Sequence, residues 1–473
     1  MQRNILFLIF FVSFFVGYTQ TDIDLYNKGI GKLKTDEYKS AIVEFSKAID
    51  KNSRLTEAYF NRAIAKENQK DIRGAIVDYS KAIELKPRYK KAYVNRGILK
   101  NTLGDYRGAI NDFSKAIDID SKYVNAYYNR AISKTNIKDY SSAIADYSIV
   151  IELNPQMENS YFNRALLKIK TQNNSGAIQD LTSLLAINSA DASAYYYRGI
   201  LKMENKLYNE AITDFTFVLA ITPNDYNALY SRGLARYNAK FYTGAISDFS
   251  RVVGLAPTFI DAIYNRGLCY VNLDDNKSAI QDFTKVIDSQ QQDAKAYIER
   301  GIVYYNLDKI SESIQDFSKA IEIDSTLEKA YYNRGIAYVA DHTYNLAISD
   351  FAKVSEINPK NVNVYYNKAI LENKLEFYDA AILSYNKAIE INAWDEKMYF
   401  YRAEAKINKQ DYEGAIQDYT KSLDINSKQE KVYYFRGIYR IKNNDKENGC
   451  VDLSKAGEMG YEDAYTAIKE FCN

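Results

Sequence analysis

The stretch AYYNRGIAY at residues 330–338, followed by AISDF at 347–351 and by Pro359, decides the fold of this chain. Close variants of it recur every 34 residues, without insertion or deletion, from Asp22 to Asp463. The thirteen copies begin at residues 22, 56, 90, 124, 158, 192, 226, 260, 294, 328, 362, 396 and 430. A fixed period of this length is the sequence signature of stacked repeat proteins.

The prolines test this register independently. All five prolines of the chain fall at the thirty-second residue of a copy: Pro87, Pro155, Pro223, Pro257 and Pro359. Because proline has no N–H and cannot continue a helix, position 32 marks the end of a helix and the start of a turn.

Within each copy the apolar residues follow helical spacing. Positions 4, 8 and 11 predict one apolar stripe and positions 20, 24 and 27 a second one, each at i, i+4, i+7. Position 8 is always Gly or Ala, and position 20 is Ala in eleven copies, so two antiparallel helices can approach closely. Position 24 carries a large filler, Phe, Tyr or Leu. Each copy therefore predicts a hairpin of two helices.

These segments resemble the tetratricopeptide repeat in period and in signature positions. The resemblance covers residues 22–463. It implies an all-α fold, a right-handed α-solenoid superhelix of thirteen helix-turn-helix repeats whose first helices form the concave wall. Each repeat would contact only its neighbours, so no internal domain boundary is expected. The last segment, residues 462–473, predicts one more amphipathic helix that caps the open end.

The first twenty residues are predicted to lie outside the fold. Arg3 precedes an apolar run at residues 5–16, and residues 17–20 lead into polar sequence. This order is typical of a secretory signal peptide, and the run is shorter than a membrane-spanning helix requires. We therefore expect a secreted, periplasmic or envelope protein. The alternative is an uncleaved N-terminal anchor, and membrane association is expected only in that case.

Composition and motifs disfavour several classes of function. Lys plus Arg (62) and Asp plus Glu (61) nearly cancel, whereas proteins that grip nucleic acid are usually basic. With a single His342 and no phosphate-binding Gly-rich loop, we expect no metal site, no cofactor, no small-molecule substrate and no catalysis.

Positions 7 and 23 carry matched charges. Position 7 is Arg in eleven copies, and position 23 is Asp in those same eleven. In the first copy the pair is Lys28 and Glu44, and in the eleventh it is Lys368 and Ser384. Both positions border the seam between the helices, so we predict structural ion pairs with two hydrogen bonds rather than sites for anionic ligands. Examples are Arg96–Asp112, Arg130–Asp146 and Arg334–Asp350.

Position 6 is the best functional lead. Positions 2, 6, 9 and 13 share the helical face opposite the buried stripe, which would line the groove. A primary amide can hold both the N–H and the C=O of an extended peptide. Repeated amides would form a ladder similar to that of the O-linked N-acetylglucosamine transferase, although Asn is also a common residue facing water. The predicted peptide-binding amides are Asn61, Asn95, Asn129, Asn163, Asn265, Asn333 and Asn367.

Position 5, on the same wall, is aromatic in eleven copies. Two interpretations remain open, packing between adjacent hairpins and direct contact with a ligand. Lysines at position 2 towards the C-terminal end, Lys295, Lys329, Lys397 and Lys431, favour an acidic ligand there. The aromatic residues proposed to line the groove are Tyr128, Tyr196, Tyr230, Tyr264 and Tyr332.

Three cysteines remain to be assigned. Cys269 falls within a first helix and is expected to be a small core residue. Cys450 and Cys472 lie on the last second helix and on the capping helix, which must pack together. In an oxidising compartment they would form a disulfide that fixes the cap.

The leading hypothesis is an adaptor that binds a protein or peptide ligand along the first-helix wall. The structural rival is a scaffold that uses its outer face or its ends in a larger envelope assembly. Carbohydrate binding is a third, weaker interpretation, because the polar residues flanking the rings are amides rather than carboxylates.

Overall fold

The computed structural model of the protein describes residues 22–290 and 292–472. The predicted signal peptide at residues 1–20 lies outside the described residues and stays a prediction. The regular structure of the described residues is entirely α-helical, with 27 helices that pack as consecutive hairpins. The all-α solenoid class predicted from the sequence is thereby confirmed.

The chain divides into two units, one ending at Ala235 and the other beginning at Arg236, within helix α13 (Tyr226–Asn238). The other helices of the first unit are α1 at 22–34, α2 Tyr38–Lys51, α3 Thr56–Asn68, α4 Ile72–Leu85, α5 Lys90–Thr102, α6 Tyr106–Ile119, α7 Val124–Asn136, α8 Tyr140–Leu153, α9 Glu158–Lys170, α10 Asn174–Ile187, α11 Ala192–Glu204 and α12 Tyr208–Ile221. The other helices of the second unit are α14 Tyr242–Leu255, α15 Ile260–Asn272, α16 Asn276–Ser289, α17 Ala294–Asn306, α18 Ile310–Ile323, α19 Glu328–Ala340, α20 Tyr344–Ile357, α21 Val362–Lys374, α22 Tyr378–Ile391, α23 Glu396–Asn408, α24 Tyr412–Ile425, α25 Glu430–Lys442, α26 Lys446–Glu458 and α27 Asp463–Phe471.

Odd-numbered helices up to α25 are the first helices of hairpins 1 to 13, and even-numbered helices are the second. Within the first unit consecutive helices from α2 to α12 pack on one another, and within the second unit consecutive helices from α14 to α27 do so. This nearest-neighbour packing is the organisation of a solenoid.

The turn inside each hairpin is fixed by local backbone geometry. Its middle residue adopts positive φ, for example Lys70 at 63° and His342 at 58°, and only in the third hairpin is this residue Gly (Gly104). The next residue often caps the second helix: the Asp71 carboxylate accepts the Gly74 N–H at 2.9 Å. A left-handed turn followed by a capped helix reverses the chain in three residues.

The two helices of each hairpin approach closely at position 8, where the sequence predicts a small residue. A Cβ atom at Gly97, position 8, would lie 2.7 Å from the buried ring of Phe113, position 24. Gly stands at position 8 in all seven hairpins with Phe at position 24, whereas Ala stands there in the four hairpins with Tyr. The Phe ring therefore requires the absence of a side chain on the facing helix.

One part of the predicted stripe is wrong. Position 11 was expected to be apolar, but it is basic in nine copies, and a residue such as Lys100 uses its long stem to reach the seam. The buried apolar residue is at position 10 instead, as in Leu99, which is 2% exposed.

Among the described residues, no helix combines the length and the apolar character needed to span a bilayer.

Candidate functional site

The predicted ion pairs lie at the seam between the two helices of their hairpins. In hairpin 3, Arg96 donates from Nε to Oδ2 of Asp112 at 2.9 Å and from Nη2 to Oδ1 at 2.6 Å. The Asp112 side chain is almost fully buried, so the double hydrogen bond neutralises it inside the hairpin. The other two predicted pairs, Arg130–Asp146 and Arg334–Asp350, have the same bidentate geometry.

Two further partners of the hairpin 3 seam were missed from the sequence. The Arg96 Nη1 atom donates to the Ser80 hydroxyl of the preceding hairpin at 3.0 Å, and the Lys100 ammonium lies 2.8 Å from Oδ2 of Asp112. The signal for the hydroxyl was visible, because position 25 is Ser, Thr or Asn in twelve of the thirteen copies. Each guanidinium therefore joins two successive hairpins and has little capacity left for a ligand.

Hairpin 11 departs from this arrangement in all four positions. Lys368 replaces Arg, Ser384 replaces Asp, and the preceding hairpin carries Ala352 where a hydroxyl is otherwise found. The carboxylate is instead supplied by Glu372, which accepts the Ser384 hydroxyl at 2.7 Å and lies 3.5 Å from the Lys368 ammonium. Glu372 is 4% exposed, so the seam keeps one buried carboxylate beside a cation.

The position 6 amides predicted to bind peptide are half-buried and already donate within the protein. Asn61 donates to both the Tyr26 hydroxyl (3.0 Å) and the Glu57 carbonyl (2.9 Å), which uses its two amide protons. The others donate in one of two ways. Asn95, Asn163 and Asn367 donate to the hydroxyls of Tyr79, Tyr128 and Tyr332, and Asn129, Asn265 and Asn333 donate to the carbonyl four residues earlier.

In four of these amides, Asn95, Asn129, Asn333 and Asn367, those bonds use one proton, whereas Asn163 also bonds Tyr147. Asn61 has lost both donors, so a continuous ladder of free amides does not start at hairpin 2. The distribution between the two modes was not predictable from spacing, because it depends on whether a Tyr hydroxyl from the preceding hairpin reaches the amide.

The position 5 rings pack chiefly against the position 24 ring of their own hairpin. The Tyr128 ring lies 5.8 Å from that of Tyr147, and Tyr264 lies 5.8 Å from Phe283. Tyr196 and Tyr332 make the same contact with Phe215 and Phe351, while Tyr230 lies half-buried on α13. Packing between adjacent hairpins, one of the two interpretations, is also present, because Tyr128, Tyr196 and Tyr264 pack against core clusters that include a residue of the next hairpin.

A cavity of about 380 Å³ opens on the first-helix face of hairpins 4 to 6. Its lining includes one of the predicted amides, Asn163, together with Tyr147. The remaining lining residues are Thr135, Leu166, Leu167, Ile169, Lys170 and Tyr197. Its walls are largely apolar with a few polar groups, which is the usual character of a binding pocket.

The C-terminal cap is covalently fixed. Cys450 on α26 and Cys472, which follows α27, form a disulfide with an S–S distance of 1.99 Å. Cys269 is fully buried, and burial raises the pKa of its thiol to about 12, so it remains a small core residue.

Six segments of the chain match models of one repeat family. Residues 101–133 match a model described as TPR repeat, and residues 294–327, 56–89, 260–293, 362–393 and 396–429 match models described as tetratricopeptide repeat. Five of the six matches begin at the first residue of a first helix. Stacked helical hairpins of this kind define an α-solenoid repeat protein. The chain carries tetratricopeptide repeats, as the sequence predicts.

Solved structures of tetratricopeptide repeat proteins are similar over part of the chain. A crystal structure of YrrB, described as a TPR protein with an unusual peptide-binding site, is 24% identical, with 40% of this chain and 97% of that chain covered at a TM-score of 0.37. A tetratricopeptide repeat protein from Parabacteroides merdae is 20% identical, covering 52% and 98% at 0.36. MamA from Desulfovibrio magneticus is 19% identical, covering 35% and 94% at 0.33.

No curated protein is significantly similar in sequence to this chain. The tetratricopeptide repeat fold by itself indicates protein or peptide binding as the general function.

Proposed function

We propose that this protein is a non-enzymatic adaptor of the bacterial envelope or secreted space, which binds an extended polypeptide along the face formed by its first helices. The observation that carries the proposal is the cavity on hairpins 4 to 6, because it lies on that face and combines apolar walls with hydrogen-bonding groups. A side chain of a bound polypeptide would enter the cavity while its backbone meets the rim.

The lining of the cavity matches the two needs of an extended peptide. Leu166, Ile169 and the Tyr197 ring supply apolar surface for one side chain. Asn163 lies beside this surface with its amide nitrogen directed to the Tyr128 hydroxyl at 3.3 Å and hydrogen-bonded to Tyr147, which leaves its carbonyl oxygen to accept a backbone N–H. Buried aromatic and apolar contacts of this kind supply most of the affinity in protein complexes.

Two features support an extracytoplasmic location. The N-terminal segment has the order of charge and hydrophobicity of a secretory signal peptide. The Cys450–Cys472 disulfide is typical of proteins that fold in an oxidising compartment.

The test is affinity capture from envelope extract of the source organism with the mature chain and two matched variants. Leu166→Glu places a charge in the cavity, and Ile336→Glu places the same charge at the same repeat position in hairpin 10. Glu occurs naturally at this position as Glu404, so the substitution is compatible with the fold.

We expect wild type and Ile336→Glu to capture a common protein that Leu166→Glu loses. Equal capture by all three chains would contradict the proposal and direct attention to the second-helix face or the ends, the surfaces that a scaffold would use. Circular dichroism of each variant provides the control for folding.

A further inference from the structure

Hairpins with Tyr at position 24 place a hydroxyl group at the first-helix face, and hairpin 2 shows how that group is satisfied. The Tyr79 hydroxyl donates to the Glu67 carboxylate at 3.0 Å and accepts from the Asn95 amide at 3.1 Å. Glu67 is at position 12 of the same hairpin, and Asn95 is at position 6 of the next. Hairpin 4 follows the same scheme, with Tyr147 hydrogen-bonded to groups at the two equivalent positions.

Hairpins 11 and 12 break this scheme. The Tyr385 and Tyr419 side chains are fully buried, yet neither hydroxyl has a hydrogen-bond partner among the described residues. The Oδ1 atom of Asn373, at position 12 of hairpin 11, is likewise buried without a partner. Buried polar atoms without partners are rare in folded proteins, and each one calls for an explanation such as strain, a functional role or a bound water or ion.

The substitutions responsible are visible in the sequence. The position 6 amides that would meet these hydroxyls are replaced by Tyr401 and Phe435. Position 9, which is Ile or Leu in the other twelve copies, is Glu404. Amides have been removed, and a carboxylate has been placed where every other hairpin has an aliphatic side chain.

Glu404 lies in aromatic surroundings. The Phe400 ring centroid is 5.7 Å from that of Tyr419 and 6.2 Å from that of Phe435, and the Tyr366 ring lies 6.3 Å from that of Tyr385. Glu404 is half-buried and has no hydrogen bond and no ion pair within 4.0 Å in the described part of the chain. Placing a carboxylate among rings costs desolvation free energy, and no hydrogen bond or ion pair within the hairpin compensates for this cost.

The charge of Glu404 acts on the pKa values of both tyrosines. Burial and then the charge of Glu404 raise the pKa of Tyr419, and burial, Tyr366 and then Glu404 raise that of Tyr385. Burial also raises the pKa of Glu404 itself, while Lys431 lowers it by less. We call these three side chains the Glu404 cluster, together with Asn373 at position 12 of hairpin 11 and the rings of Phe400 and Phe435.

The donors and acceptors of the Glu404 cluster favour one kind of ligand. The carboxylate and the Asn373 oxygen only accept, the two hydroxyls can accept, and aromatic faces attract cations. We propose that the Glu404 cluster is a subsite for a lysine or arginine side chain of the bound polypeptide, with Glu404 opposite the positive charge. This inference rests on the polypeptide-binding function proposed above and adds the charge of the ligand at one place.

Lys431 shows that the cluster accommodates an ammonium group. Its Nζ atom lies 5.2 Å from the Phe400 centroid and 5.6 Å from the Phe435 centroid, and the residue is exposed. It stands on the aromatic faces without forming an ion pair with Glu404, so an incoming cation would displace it. Lys431 and Lys397 would instead attract an acidic ligand, as the sequence suggested. The test must therefore distinguish a positively charged ligand from a negatively charged one.

The test pans a random-peptide display library on the full-length protein and on Glu404→Ile, which restores the usual residue type at position 9. Peptides selected on wild type are then synthesised with Lys or with norleucine, an uncharged residue of similar length, and their affinities are measured by fluorescence anisotropy. Glu413→Gln, which removes an exposed carboxylate from α24, is the matched control.

We expect Lys and Arg to be enriched on wild type and not on Glu404→Ile. Lys peptides should bind Glu404→Ile about tenfold more weakly, since a partly desolvated charge pair is lost. Norleucine peptides and Glu413→Gln should show no change. Lys431→Met should bind Lys peptides more tightly than wild type does, because it removes the competing cation.

The failures are distinguishable. If no peptide is enriched on any variant, the polypeptide-binding proposal fails and the subsite fails with it. If peptides are enriched equally on wild type and Glu404→Ile, polypeptide binding stands and the subsite is overturned. If Asp and Glu are enriched and Lys431→Met weakens binding, the ligand is acidic and the proposed charge is wrong.

Discussion

Hairpins 2 and 11 share the same core but arrange their polar groups in opposite ways. Both have Ala at position 8 and a fully buried Tyr at position 24. In hairpin 2 the buried carboxylate is Asp78 on the second helix, held by the Arg62 guanidinium at 2.7 and 2.8 Å and by the Lys66 ammonium at 2.8 Å. The Tyr79 hydroxyl has partners on two helices.

In hairpin 11 the carboxylate has moved to the first helix. Glu372 takes the place of Lys66, and Ser384 takes the place of Asp78. The Ser384–Glu372 hydrogen bond of 2.7 Å still joins the two helices. The Tyr385 hydroxyl, by contrast, has no partner among the described residues.

The comparison distinguishes the polar groups that a hairpin requires for its stability from those that are available to contact a ligand. A buried carboxylate with a cation beside it is kept in both hairpins although the contributing helix changes, so it is a requirement of the seam. The partners of the Tyr hydroxyl are kept in one hairpin and lost in the other, so they are not a requirement. The polar groups that lack partners are therefore the candidates for ligand contact.

The largest expected effect comes from Asp78→Ala in hairpin 2. It leaves two buried or half-buried cations without a counterion, and removal of one partner of a buried pair costs about 3–5 kcal/mol of unfolding free energy. Hydrogen exchange of the α3 and α4 amides would measure the loss within that hairpin. Asp118→Ala, which breaks an exposed pair with Lys115, is the control and should cost no more than about 1 kcal/mol. Equal losses in the two variants would contradict the structural role of the seam.

Hairpin 11 should lose less stability than hairpin 2 when its buried carboxylate is removed. It should also tolerate replacement of its seam residues by those of hairpin 2. Glu372→Ala is expected to cost about 2 kcal/mol, because Lys368 is partly exposed and can turn to water while the Ser384 hydroxyl loses its acceptor. Ser384→Asp alone should also destabilise, since it adds a second carboxylate next to Glu372.

Combining Ser384→Asp with Glu372→Lys and Lys368→Arg recreates the charges of hairpin 2. This triple variant should recover most of the stability lost by the single changes, a strong non-additivity that urea unfolding would reveal. Additive losses would show that the two arrangements are not interchangeable.

Removing the hydroxyl from each of the two tyrosines at position 24 should give smaller changes in stability that can be compared directly. Tyr79→Phe removes the hydrogen bonds to Glu67 and Asn95 and is expected to cost about 1–2 kcal/mol. Tyr385→Phe removes a hydroxyl without a protein partner and should change stability by less than about 0.5 kcal/mol, or increase it. Thermal unfolding of both variants checks the sign, and a larger loss for Tyr385→Phe would mean that its hydroxyl is already satisfied in the free protein.

The fold was predictable because it depends on residues that repeat with the period. Proline at position 32, Gly or Ala at position 8 and the matched charges at positions 7 and 23 each act within one hairpin, so spacing alone places them. The hydroxyl partner at position 25 was also accessible, because Ala352 precedes the one hairpin inside the array in which Lys368 replaces Arg. That signal joins neighbouring copies and was missed when each copy was interpreted alone.

The candidate site was less predictable, because it depends on side-chain placement between copies. The hydrogen bonds of Asn163 go to two tyrosines of the preceding hairpin, Tyr128 and Tyr147. The departure of Glu404 from the repeat was visible in the sequence, but its significance requires the burial of Tyr385 and Tyr419 around it. Spacing identifies the face of a helix and does not determine which polar atoms on that face remain without partners.

The smallest expected effect is a change in the pH dependence of stability at Glu404. Burial raises the pKa of this carboxyl above its ordinary value of 4.5, so the folded protein holds the proton more tightly than the unfolded chain does. From pH 4.5 up to the raised pKa the folded state binds more protons, and linkage then requires that stability falls as the pH rises through this window. Glu404→Gln cannot lose a proton, so its stability relative to wild type should rise across the window and level off above it. Glu413→Gln, an exposed control, should show no such trend, and a difference between wild type and Glu404→Gln that does not vary with pH would mean that the carboxylate already has a compensating partner.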